Sequence, residues 1–157
     1  ADLFAIVRVF SPDGTEVVFQ GAIDPHTPIA QGWLRASHRK LDEALSEPWR
    51  PYHTHDEKEP LVPGDPADLD IEIWPTCIVI PPGYRIGLSI RGKDYEYAKS
   101  TGARLSNFKN ELTGCGPFLH NDPIDRPNEI FGGKTTLYLD SDQETYLLLP
   151  IIPPASV

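Results

Sequence analysis

The 157-residue chain contains no methionine and only two cysteines. It also lacks an N-x-[ST] acceptor, an apolar run long enough to span a bilayer, and any basic surplus: 23 acidic residues face 14 basic ones, for a net charge of −9. Each absence excludes something. No stretch approaches the ~18 apolar residues of a spanning helix, so no membrane segment is expected. The acidic balance argues against a nucleic-acid partner, which normally meets a basic face. Cys77 lies in a strand-like run and Cys115 in a glycine-flanked loop, and two reduced thiols are expected rather than one disulfide. With no glycosylation acceptor, a cytoplasmic setting is favoured. ADLFAIVRVF has no signal-peptide pattern. It already reads as strand interior, and without a methionine the chain is expected to be a processed piece of something longer.

What the chain does have is 17 prolines and 12 glycines. That composition favours short strands joined by turns and ordered loops over a helical bundle. Residues 1–10 place Leu3, Ala5, Val7 and Val9 on one face and Phe4, Ile6 and Phe10 on the other, the pattern of a central strand buried on both sides. SPDG (11–14) supplies a turn, so residues 2–23 are predicted to form a β-hairpin. GWLRASHR suits a strand or the start of a short helix, and RKLDEALS (39–46) is mildly helical. Prolines at 48, 51, 60, 63 and 66 then impose a long ordered crossing loop. DLDIEIW (68–74) alternates like a half-solvated strand. CIVI (77–80) and YRIGLSIRG (84–92) are predicted to pair across Pro81-Pro82-Gly83. TTLYLD and TYLLLPII are predicted to close the chain as a hairpin over SDQE. The expected class is all-β with little helix, a two-sheet sandwich in a single domain over residues 1–157.

Ser37, His38 and Asp42 fall within six positions and carry the side-chain types of a hydrolytic triad. Adjacent residues diverge on a strand or a helix, so Ser37 and His38 are neighbours rather than partners. GLSIRG (87–92) lacks the second glycine of a nucleophile elbow. His53 and His55 in HTHDE share one side of an extended segment, but no second ligand cluster accompanies them, so no metal and no cofactor are expected. Asn121, Asp122, Asp125 and Asn128 match no calcium loop and suit turn formation better. The large aromatics Trp33, Trp49, Tyr52, Trp74, Tyr84 and Phe131 are expected mainly in the core, with a ligand groove as the alternative. The candidate binding residues are Trp33, Arg35, Arg39, Trp49 and Tyr52. Arg35, Arg39, His38 and Lys40 form either a cationic patch or arginines paired with Asp56, Glu57 and Glu59.

GWLRASHRKLD (32–42), followed by PYHTHDEKEPLVPGDPADLDIEIWPT (51–76), resembles the C-terminal domain of the cocaine-esterase/X-Pro dipeptidyl-peptidase (CocE/NonD) hydrolases. DLFAIVRVFSPDG resembles that domain's strand and turn, and HNDPIDRPNEIFGGKTTLYLD with LLLPIIP resembles its tail. The resemblance implies a jelly-roll sandwich of the galactose-binding-like type, attached in relatives to a catalytic α/β-hydrolase domain that supplies the serine, aspartate and histidine. None of those residues has a match here.

The family's strand preceding DLFA is also missing, so an open edge is expected along residues 2–10, covered by a hydrolase catalytic domain or by self-association. The leading functional expectation is a non-catalytic accessory domain of an ester- or amide-cleaving serine hydrolase. A sugar or small-ligand binding module is one alternative. A small-molecule lyase, cyclase or isomerase using His26, His38, His53 or His120 with a carboxylate in a closed cavity is the other.

Overall fold

The structure is a computed structural model that describes residues 1–21, 23–98, 104–105, 108–109, 112–139 and 145–153. Its main sheet is antiparallel and built around β1 (Asp2–Phe10). β3 (Ala30–Arg35) pairs with residues 2–7 of β1, and β2 (Glu16–Val17) with residues 9–10. β4 (Arg85–Arg91) pairs with residues 4–10 from the opposite side. A separate two-stranded ladder joins β5 (Arg104–Leu105) to β6 (Phe108–Lys109). Helix is scarce: a 3-10 turn at Ala36–His38 and a single turn, α1 (Asn128–Phe131). The class is all-β, with an open antiparallel sheet. No helix among the described residues is long and apolar enough to cross a membrane.

β1 is central because both of its faces are apolar, as its alternation required: Leu3, Phe4, Ala5, Ile6, Val7 and Val9 are all buried. Being hydrogen-bonded on both sides, it offers no open edge, which corrects the expectation for residues 2–10. The register sorts the sheet into two faces, since directly paired residues point the same way. On the first, Leu3, Ala5, Val7 and Val9 lie beside Leu34, Gly32 and Ala30 of β3 and Ile90, Leu88 and Ile86 of β4. On the second, Asp2, Phe4, Ile6 and Arg8 lie beside Arg35, Trp33 and Gln31, and beside Arg91, Ser89 and Gly87. Phe4 and Ile6 there pack with Tyr95, Tyr97 and Cys115.

The SPDG turn forms as predicted. Gly14, at φ 85°, donates to the Ser11 carbonyl. The hairpin arm beyond it is short, with β2 followed by one Phe19–Thr27 bridge. GWLR completes β3 and ASH the 3-10 turn. RKLDEALS forms no helix, because Asp42 Oδ1 takes the Ala44 and Leu45 N–H groups and closes one local turn.

Four predicted strands carry no ladder among the described residues: 68–74, 77–80, and the closing pair near 135–139 and 145–152, whose SDQE turn lies outside those residues. Period-2 alternation marks how a strand would bury its faces, but a ladder also needs a partner edge. The 68–74 stretch instead makes one backbone bond, from Trp74 N–H to the Gln31 carbonyl at 3.0 Å. It runs so close to β3 that a β-carbon on Gly32 would stand 1.8 Å from the Glu72 carbonyl oxygen.

Candidate functional site

Register places Asp2 opposite Arg35 and Phe4 opposite Trp33, so one acid, one base and two aromatics share the second face at one end of the sheet. A lone carboxylate on an otherwise apolar buried strand needs partners. Asp2 has two. Arg35 donates from Nε at 2.9 Å and Nη2 at 3.1 Å, and Arg126 donates from Nε at 2.6 Å. Arg35 also grips Asp125 with two bonds of 3.0 and 2.6 Å. Arg126 also donates from Nη1 to the His120 carbonyl and lies over the Phe4 ring, 5.2 Å from its centroid. Burial pushes the Asp2 carboxyl up, but the hydrogen bonds and charges of Arg35 and Arg126 outweigh it and hold the group below its ordinary value.

His120 is fixed twice by Asp94, through its backbone N–H at 2.7 Å and its ring Nδ1 at 2.8 Å. Its ring leans on Trp33, with centroids 4.9 Å apart, and Trp33 in turn leans on Trp74 at 5.2 Å. An open depression of about 310 Å³ is lined by Trp33, His38, His55 and His120 together with Asp2, Arg35 and Arg126. On its far side, His38 Nδ1 faces His55 Nδ1 at 3.2 Å. His53 lies next to His55, with its Nε2 buried and unpartnered. Burial, then the neighbouring His55, pushes the His53 imidazole below its ordinary pKa.

These contacts decide the chemistry. Among the described residues, no histidine nitrogen is hydrogen-bonded to a serine, threonine or cysteine. Ser37 uses its carbonyl to accept the Glu59 N–H at 2.7 Å, and Asp42 turns to its own backbone rather than to His38. His120–Asp94 is a histidine–carboxylate pair, but it borders an open depression whose lining includes no serine, threonine or cysteine. No group of three or more metal-ligating side chains forms among the described residues.

The four histidines named from the sequence separate. His38 and His120 share the depression, His53 sits behind His55, and His26 is elsewhere, stacked on Tyr97 at 4.6 Å. Of the binding candidates, Trp33 and Arg35 line the depression. Arg39 instead binds the Ala36 and Glu59 carbonyls and pairs with the Glu59 carboxylate at 3.4 Å, holding the crossing loop. Trp49 is 70% exposed and Tyr52 47%, and neither lines the depression. The core expectation for the large aromatics fails for these two and for Trp33 and Trp74, which lie at the surface. Cys77 and Cys115 are both free thiols. Sequence reasoning missed Asp2, Asp94 and Arg126. Asp2 alone had left a signal, an acid inside an apolar strand.

Comparison with known proteins accounts for a charge clamp without a nucleophile. Residues 1–148 match the profile of the X-Pro dipeptidyl-peptidase C-terminal non-catalytic domain. This chain belongs to that family. Among curated relatives, proteins named serine esterase from Mycobacterium bovis and Mycobacterium tuberculosis are each 39% identical to it, over 74% of this chain. The match takes in only 19% of their length, so the chain spans about a fifth of these relatives. Two crystal structures of a CocE/NonD family hydrolase from Staphylococcus aureus also resemble it. One has a TM-score of 0.59 at 28% identity, covering 71% of this chain and 20% of that one. The other has a TM-score of 0.56 at 30% identity, covering 58% and 17%. In this chain the segments GWLRASHR and HNDPIDRP are the two halves of one clamp: Arg35 from the first and Asp125 and Arg126 from the second meet with Asp2.

Proposed function

We propose that this chain serves as the accessory domain of an ester- or amide-cleaving serine hydrolase, and that the catalytic part of that protein docks on the apolar face of the sheet. The observation that carries this reading is a gradient of cover across one face. Leu3, Val7 and Val9 on β1 are buried, while their β4 neighbours Ile86 and Leu88 are 47% and 41% exposed. Leu139, Ile151 and Ile152 add further exposed apolar surface in the stretches after α1. Exposed apolar surface on this scale marks an interface, and relatives about five times as long as the match supply the polypeptide to cover it. On this reading the open sheet is one layer of a galactose-binding-like jelly roll. The role is mechanical: the clamp fixes the 120–131 loop to β1 and β3, so that the domain presents a rigid wall.

The test is hydrogen–deuterium exchange on the isolated chain and on the full protein. Docking predicts added protection over residues 85–91 in the full protein. Equal exchange in both overturns docking on this face, and protection that instead rises with the concentration of the isolated chain assigns the face to self-association.

A further inference from the structure

We infer that His38 and His55 form a proton-sensitive latch, which holds residues 53–59 against the Ala36–His38 turn near neutral pH and releases them on acidification. Their Nδ1 atoms stand 3.2 Å apart, a hydrogen-bond distance. Such a bond needs one N–H and one lone pair. Two neutral rings meet that need, and so does a pair carrying a single extra proton. With both rings protonated no lone pair remains, and two cations face each other across the contact.

Most of the surrounding carboxylates are already engaged. On the turn side stand Arg35, Arg39 and Lys40. On the loop side, Asp56 and Glu57 are held by Lys40 at 3.2 and 3.0 Å, and Glu59 is held by Arg39. Across the depression, Asp2 and Asp125 are taken by Arg35 and Arg126, and Asp94 by His120. Behind His55, the His53 imidazole feels Asp70 and Glu72 but is itself disfavoured as a cation, first by burial and then by His55. Asp56, Glu57, Glu59, Asp2, Asp125 and Asp94 thus each already have a cation or histidine partner.

Two backbone bonds flank the latch and report on it: Thr54 N–H to the Lys40 carbonyl at 3.1 Å and Glu59 N–H to the Ser37 carbonyl at 2.7 Å. His55 also sits at φ 54°, a left-handed backbone that a non-glycine residue adopts only when its contacts hold it there. Losing the imidazole contact removes one of those contacts.

The test is exchange protection of residues 54–59 in the full protein between about pH 7 and about pH 5, corrected for the chemical pH dependence of exchange, with β1 as the internal reference. One lost hydrogen bond corresponds to a drop of about fivefold. His38→Asn puts an amide oxygen near the Nδ1 position, an acceptor that cannot be protonated in this range. It keeps the loop closed and abolishes the step. His55→Asn does the same from the other side, and asparagine tolerates the left-handed backbone. Wild-type protection that does not change with pH overturns the latch. So does a step that survives in either folded asparagine variant.

Discussion

Replacing Asp2 by asparagine keeps the shape of the side chain and removes the charge at the centre of the clamp. Arg126, only 12% exposed, then loses its carboxylate, while Arg35, 30% exposed, keeps Asp125. Breaking a buried pair by removing one partner costs about 3–5 kcal/mol, and the lower end applies because Arg35 is partly solvated and still paired. At roughly 2–4 °C per kcal/mol for a domain of this size, the unfolding midpoint falls by about 6–12 °C at pH 7. Asp125→Asn is the control. Its carboxylate is 59% exposed and Arg35 retains Asp2, so the midpoint moves by only a small fraction of that amount. The pH dependence has a definite sign. The Asp2 carboxyl is held below its ordinary value, so its contribution is fully present above the unfolded pKa of about 3.9 and is lost as pH falls through the lower folded value. The stability gap between wild type and Asp2→Asn therefore closes below about pH 4. Differential scanning calorimetry across pH 3–8 reads both effects. A midpoint for Asp2→Asn within about 2 °C of wild type at pH 7, or a shift no larger than that of Asp125→Asn, refutes the clamp.

Three other perturbations follow from close contacts. Gly32→Ala drives a β-carbon into the Glu72 carbonyl and is expected to cost about 1–3 kcal/mol in urea titration. Gly87→Ala, whose β-carbon would lie 3.6 Å from Phe10, is expected to be nearly neutral. Asp24→Ala leaves the Gly114, Gly116 and His26 N–H groups without their shared carboxylate, at a cost of about 2–3 kcal/mol and with raised exchange at residues 114–116. In timed alkylation of the isolated chain, the exposed Cys77 is labelled before Cys115, whose thiol is pushed up in pKa, chiefly by burial.

Legibility from the sequence followed the reach of each interaction. β1 could be read because nine consecutive residues alternate between two apolar faces, and the SPDG turn because its chemistry is local. The clamp could not, since Asp2 and Arg126 lie 124 residues apart and only the β1–β3 register brings Asp2 to Arg35. The alternation of 68–74 was visible, but the edge it lacks was not. The expected gap along 2–10 was misplaced because it rested on a family strand taken to be missing before DLFA, whereas β3 and β4 pair with β1 on its two sides. Exposure of the aromatics was also illegible, since a tryptophan that belongs to an interface has the same composition as one in a core.

If the chain serves as the proposed accessory domain, the reacting serine lies outside these residues. Labelling the full protein with a fluorophosphonate probe and mapping the adduct by peptide mass spectrometry tests that claim directly. The adduct is predicted on a serine outside residues 1–157. An adduct on Ser37, or on any other serine of this chain, contradicts it.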